Sequence, residues 1–222
     1  MKLPVLDASG AQVREIDVDE AVFGIAPNLA VVHQALLAQL ANQRQGTHSS
    51  QTRSMQHSST VKTRKQKGTG AARLGSRSSP LRRGGAVAHG PHPRSYRQRL
   101  PKRMRRLAIR SLLSQRVAEA GLLVLGQEEF QPRTRAVADL LKALGVARRG
   151  LVVTDGPNEA LHRGIRNLDQ MHACPAHVLN VDLLLRYDHI IMTEAGVRRA
   201  EALWGGEKAR SRRTAAGAGE EA

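Results

Sequence analysis

The chain has 222 residues, with 35 Lys and Arg against 19 Asp and Glu, a formal charge of +16 and a pI near 11.4. Aromatic residues make up only 2%, which excludes recognition by an array of base-stacking rings, and the lone cysteine, Cys174, excludes a disulfide framework and a cysteine-based zinc site. No run is long enough to span a bilayer, and Met1-Lys-Leu-Pro-Val-Leu-Asp7 reads as neither signal nor transit peptide, so a cytoplasmic protein with no membrane partner is expected.

In chain order, Leu3 to Leu6 and Gln12 to Val18 read as short strands around the turn Ala8-Ser9-Gly10. Pro27 and Asn28 are helix-start residues. Leu29, Val32, Leu36 and Leu40 then recur at helical spacing up to about Gln43, which predicts an amphipathic helix. At Arg44-Gln45-Gly46 the pattern stops. Residues 46–95 are rich in Gly, Ser, Pro and Arg and have no apolar periodicity, so they cannot build a core. A loop of that length inside a domain is expected to be functional and to order on binding.

Pro101 opens a helix to about Ala120, with Met104, Leu107, Ala108 and Leu112 as its apolar stripe. Its first turns are crowded by Lys102, Arg103, Arg105, Arg106 and Arg110. Cations there oppose the helix dipole, which calls for an external anion. Beyond Gly121, apolar runs alternate with helical patterns. Strands are expected at Leu122–Leu125, Leu151–Thr154, His177–Leu179 and His189–Met192. Helices are expected at Thr134–Leu144, Asn158–Asn167, Val181–Tyr187 and Ala195–Trp204. Continuous apolar strands between helices predict a three-layer α/β/α fold with a mostly parallel central sheet. Residues 1–45 and 96–204 then form one globular domain into which the basic loop 46–95 is inserted, and 205–222 are a flexible tail.

Charge is segregated. Residues 21 to 118 contain no carboxylate yet hold 19 of the 35 Lys and Arg, and the remaining 16 basic groups face all 19 acidic ones. A merely solvated basic face would intersperse acids. A segregated excess is the electrostatic footprint of a polyanion partner, with affinity carried by counterion release from phosphates.

Other chemistry finds little support. Gly68-Thr69-Gly70 lacks the third glycine of a dinucleotide fingerprint, because position 73 is Arg, and neither strand nor helix flanks it. Val153-Thr154-Asp155-Gly156-Pro157 sits where α/β proteins bind ligands, but a tight turn with a helix cap explains it equally well. His89 and His92 have Gly90 and Pro91 between them and no acidic neighbour, so they suit phosphate or sugar contacts better than a metal. Neither paired carboxylates nor a nucleophile–base pattern is present; no catalytic residue, metal, cofactor or small-molecule substrate is expected.

The run Arg64-Lys-Gln-Lys-Gly-Thr-Gly-Ala-Ala-Arg73, followed by Gly75-Ser76, Ser79-Pro80, Gly84-Gly85, His89-Gly-Pro-His-Pro-Arg-Ser-Tyr96 and Pro101-Lys102, resembles the bacterial form of the universal L-four family of large-subunit ribosomal proteins. Arg44-Gln-Gly46-Thr47 and Thr52-Arg53 match the entry to that family's long loop. The resemblance runs from about Pro27 to Met192. It implies a structural constituent of the large subunit that binds 23S-type ribosomal RNA early in assembly. It also implies a loop tip lining the nascent-peptide exit tunnel beside the ribosomal protein L-twenty-two, among other neighbouring large-subunit proteins. Carried over by motif, the tip residues are Gln66, Lys67, Gly68, Thr69, Gly70 and Arg73. The sequence departs from the family at Ala71, usually Arg, at Ser58-Ser59-Thr60, and at Thr63-Arg64.

The RNA-binding set expected from charge, glycine placement and motif follows the loop. It begins with Arg44, Arg53, Lys62, Arg64, Lys65 and Lys67 and continues through Gly68, Gly70, Arg73 and Arg77 to Arg82, Arg83, Gly84 and Gly85. Arg94, Tyr96 and Arg97 complete the returning strand, and Lys102, Arg103 and Arg106 follow on the next helix. The alternative is an RNA-binding regulator acting on messenger RNA outside the ribosome, through the same basic surface.

Overall fold

The computed structural model describes residues 1–126, 130–146 and 148–205. The chain divides into two compact units, one made of Met1–Leu40 with the chain from Arg99 onward, the other of Ala41–Gln98. The expected flexible tail, beyond Gly205, lies outside the described residues.

The first unit is built on a six-stranded sheet. In chain order its elements are β1 (Lys2–Leu6), β2 (Gln12–Asp17), α1 (Glu20–Phe23), α2 (Leu29–Gln43, whose last turn belongs to the second unit) and α3 (Lys102–Ala118). They continue with β3 (Leu122–Leu125), α4 (Thr134–Ala143), β4 (Gly150–Thr154), α5 (Glu159–Ile165), β5 (Met171–Pro175), α6 (Val181–Arg186), β6 (His189–Thr193) and α7 (Glu194–Trp204). The strand order is β2-β1-β3-β6-β4-β5. β1 and β2 form an antiparallel hairpin, and every other pairing is parallel. This is the α/β fold expected, with a mixed, mostly parallel sheet.

Two-residue periodicity divides the strand side chains between two cores. Leu122, Val124, Leu151, Val153, Ile190 and Met192 point to the larger core, where α1, α2, α3, α6 and α7 bury Phe23, Val32, Leu113, Leu184 and Val197 among others. Leu125, Val152 and Ile191 point the other way, onto Val137 and Leu141 of α4 and Leu161 and Ile165 of α5. Both faces being covered is why these strands read as unbroken apolar runs.

Local chemistry sets most boundaries. The side chains of Asp19, Asn28, Asn158, Asn180 and Thr193 each accept a backbone N–H in the first turn of the helix they precede. Each such cap contributes about 1 kcal/mol. Pro101, expected at the first helical position, is instead the cap of α3: Arg105 N–H donates to its carbonyl at 3.1 Å and the helix starts at Lys102. Two serines inside α3 are buried for a reason. Ser114 accepts from Ile25 N–H at 3.1 Å and donates to Val22 C=O at 3.2 Å, and Ser111 accepts from Asn28 N–H at 3.3 Å, so they satisfy the backbone between α1 and α2.

Two further expectations are corrected, and one element is added. His177–Leu179 is not a strand: Ala176–Val178 is a 3-10 turn, and the strand lies earlier, at Met171–Pro175. That strand is an edge strand paired only with β4, partly exposed along Met-His-Ala-Cys-Pro, so it lacks the apolar run that marks a central strand. The short helix α1 was not legible, because four residues span too little to show a period. The buried face of α2 is also rotated from the expected stripe. Val32 is buried and Leu36 partly buried as expected, but Leu29 and Leu40 are exposed, and Ala35 and Ala38 are buried in their place. Asn28, Val32, Ala35 and Gln39 share one face, anchored by Asn28 N–H on Ser111 and by Gln39 Oε1 accepting from Asp182 N–H at 3.4 Å.

Candidate nucleic-acid interface

Residues 41–98 lack the periodicity for a ladder or helix, so their backbone groups pair locally, with each other or with polar side chains. The two halves run antiparallel without forming regular strands. Asn42 pairs with Gln98, Gly46 C=O accepts from Arg94 N–H, Ser50 N–H donates to Pro91 C=O, and Val87 N–H donates to Gln51 C=O. Further out, Gln56 Nε2 donates to Gly84 C=O and Thr63 Oγ1 to Gly75 C=O. The two residue numbers in each pair add to about 140, so the chain folds back at about residue 70. The Gly68-Thr69-Gly70 run therefore sits at the apex.

Glycine has different causes along this ribbon. Gly68 and Gly70 have φ of +83° and +61° with open space where a Cβ would stand, so the backbone bend and not crowding requires them. At Gly46, φ is +70° and a Cβ would lie 2.1 Å from Arg94 O, so only glycine lets the two strands meet at that point. Of the expected glycines, Gly84 is open like the apex, whereas a Cβ on Gly85 would strike Ser79 O at 2.0 Å. Gly85 closes a knob of successive turns through Ser76, Ser79 and Arg82, in which Ser76, Ser78 and Ala86 are buried.

The expected side chains fall into groups. Lys62, Arg64, Lys65, Gln66, Lys67, Thr69 and Arg73 are all exposed around the apex, where Lys62 contacts Gln66. Arg77 and Arg83 are exposed on the knob and Arg82 is half-buried there, while Arg53 reaches Ser76 Oγ at 3.5 Å. At the root, Arg44, Arg94, Tyr96 and Arg97 line one shallow groove of about 740 Å³. Arg44 Cζ stands 3.7 Å and Arg94 Cζ 4.6 Å from the Tyr96 ring centre, and Tyr96 Oη hydrogen-bonds His48 Nε2 at 3.1 Å. Lys102, Arg103 and Arg106 belong to α3 in the other unit, the first two exposed and Arg106 half-buried. Sequence reasoning missed Asn42 and His48. Asn42, in the last helical turn before a glycine, was the findable one.

Electrostatically the loop stands apart. Among the described residues every arginine in an ion pair lies outside 44–110, as with Arg186 on Asp182, Arg198 on Glu201 and Arg199 on Asp155. Arg110 is half-buried and turned inward, donating to Ala21 C=O at 3.2 Å.

The other candidate places resolve into structure. Thr154 Oγ1 donates to Gly156 C=O at 2.7 Å and Asn158 caps α5, so the Asp155 turn is a strand-to-helix connection beside a cavity of about 350 Å³. Cys174 is buried in the larger core, which pushes its thiol up to about 12 and leaves it unreactive. Burial, with His162 and Arg186 nearby, lowers the pKa of His172. Among the described residues no three His, Cys, Asp or Glu side chains gather to hold a metal ion, and no helix is long and apolar enough to cross a membrane.

Fold and loop together define a basic α/β protein with an acid-free internal extension. Residues 16–203 match the profile of the Ribosomal protein L4/L1 family. The chain is 45% identical over 206 residues to the large ribosomal subunit protein uL4 of Dehalococcoides mccartyi (strain CBDB1), covering 92% of this chain and 98% of the relative. It is 45% identical over 201 residues to that of Desulfitobacterium hafniense (strain Y51), covering 90% and 97%, and 40% identical over 204 residues to that of Heliobacterium modesticaldum, covering 91% and 99%. The chain belongs to the ribosomal protein L4/L1 family.

Proposed function

We propose that the protein is a non-enzymatic constituent of the large ribosomal subunit that holds 23S-type ribosomal RNA through residues 46–95 and the start of α3. The observation that carries this is the charge pattern: 19 basic residues between 21 and 118 without one carboxylate, 12 of them in the unit Ala41–Gln98, where 11 are exposed. Such a surface favours an external polyanion, with affinity carried by counterion release. Kinship with proteins named as large-subunit components supplies the polyanion. On this reading the α/β unit is the body, the apex residues Gln66, Lys67, Gly68, Thr69, Gly70 and Arg73 line the peptide exit tunnel opposite L-twenty-two, and binding occurs early in assembly in the cytoplasm.

The test is sedimentation of tagged protein from gently lysed cells, beside a form lacking residues 50–90. The intact protein is expected with large subunits at moderate salt, and the deleted form impaired in assembly or retention. Intact protein that stays at the top of the gradient, free of ribosomes, would overturn the reading and favour a messenger RNA target.

A further inference from the structure

Tyr96 is the one Phe, Tyr or Trp of the unit Ala41–Gln98, and in an RNA-binding ribbon it would ordinarily be assigned to base stacking. Its surroundings argue otherwise. The Arg44 guanidinium carbon lies over the ring at 3.7 Å, which is contact distance, and that of Arg94 lies over it at 4.6 Å. The hydroxyl is taken by His48, whose ring stands 5.8 Å away at a tilt of 45°. A base seeking the ring must therefore displace a guanidinium.

The arrangement is held from behind. Arg94 N–H donates to Gly46 C=O at 3.2 Å, and only glycine fits at position 46, so the backbone brings the two arginine-bearing strands side by side. Both guanidinium groups lie close to one ring centre with Arg97 on the same groove, and the unit Ala41–Gln98 contains no carboxylate to neutralise them. Like charges assembled in this way are favourable only when an anion closes the site. A guanidinium held flat on a ring keeps its N–H edge free for paired bonds to a phosphate.

We propose that the loop root is a phosphodiester-binding site in which Tyr96 is a positioning residue that holds Arg44 and Arg94 for the RNA backbone. It rests on the RNA-binding reading above and assigns this groove to phosphates, not bases.

The test is binding of the full chain to a large-subunit ribosomal RNA transcript across a salt series, comparing Y96F, Y96L, R44Q/R94Q and the triple variant, with R82Q/R83Q as reference. Circular dichroism confirms that each keeps its α/β fold. Y96F keeps the ring and is expected within about twofold of the wild type. Y96L and R44Q/R94Q are each expected to weaken binding about tenfold and to lower the slope of log affinity against log salt by roughly one to two, the value for one or two phosphates left without a cation. The triple variant should match R44Q/R94Q. Weaker binding by Y96L at an unchanged salt slope would mean base stacking and overturn the proposal. So would wild-type affinity in both Y96L and R44Q/R94Q while R82Q/R83Q is weakened, a result that leaves the RNA-binding reading standing. A wild-type chain that does not bind the transcript would overturn both.

Discussion

The side-chain amide of Asn42 holds both backbone groups of Gln98, donating to its carbonyl at 3.2 Å and accepting from its N–H at 2.7 Å. One amide thus clamps the outgoing and returning strands at the loop root, where neither has ladder partners of its own. Asn42→Ala removes both bonds at an exposed site, so the α/β unit should lose less than about 1 kcal/mol. The Gln98 amide should exchange hydrogen markedly faster, read by mass spectrometry, and protection unchanged from the wild type would show that the clamp is not needed.

Replacing Arg82, Arg83, Arg94 and Arg97 with Gln removes four cations while leaving backbone and core untouched. RNA affinity should fall, and its dependence on salt should flatten by roughly 0.7–0.9 for each phosphate no longer neutralised. Filter binding at several salt concentrations measures both. An unaltered affinity would exclude the loop as the RNA-binding element.

At the apex, a Cβ in place of Gly68 or Gly70 meets no neighbouring atom, but valine there must adopt a positive φ, at a cost of about 1–2 kcal/mol confined to the turn. The thermal midpoint of the α/β unit should not move. Chemical probing of the ribosomal RNA in reconstituted subunits should change only where the apex lies. A global loss of RNA protection would contradict an apex that acts locally.

Core and surface positions should separate cleanly in stability. Ile191→Ala empties a fully buried site between α4, α5 and the centre of the sheet and should cost about 2–5 kcal/mol. Leu29→Ala, at a leucine 68% exposed, should stay within about 0.5 kcal/mol. Urea unfolding measures both. Equal losses would mean that α2 buries the face expected from its leucines and not the one described.

Cys174 gives stability a dependence on alkaline pH. Its thiol is raised from an ordinary value of 9.0 to about 12 in the folded protein, so between those values the unfolded chain ionises and the folded one does not. The contribution is intact below pH 9 and is lost progressively as pH rises through 12, at up to about 1.4 kcal/mol per pH unit. Cys174→Ala should flatten the stability profile above pH 9, measured by urea midpoints, and a thiol reagent should label the wild type only when it is unfolded.

Much of the fold was legible because it rests on short-range signals. Asn28 and Asn158 announce helix starts by their chemistry, and Leu151–Thr154 and His189–Met192 announce strands by apolar runs that are continuous because both faces are covered. The edge strand Met171–Pro175 was hidden because its single neighbour, β4, leaves it polar and partly exposed. α2 misled in part because Leu29, Leu36 and Leu40 advertise a face, whereas the helix is turned by Ser111 and Asp182, residues far away in the chain. For the candidate site, the arginines and the apex glycines could be read directly, while the joining of Arg44, Arg94, Tyr96 and His48 into one cluster could not.

By itself, then, the sequence determined the α/β class and the acid-free stretch from 21 to 118, because charge and apolar pattern are properties of residues wherever they lie, while the loop tip at Gln66 to Arg73 came from the family resemblance. Only the tertiary structure decided which face of α2 is buried, which segment closes the sheet edge, and that Asn42 and Tyr96 organise the loop root. Those depend on partners separated by tens of residues, and a hydrogen bond or a stacked guanidinium exists only once the chain has brought its two halves together.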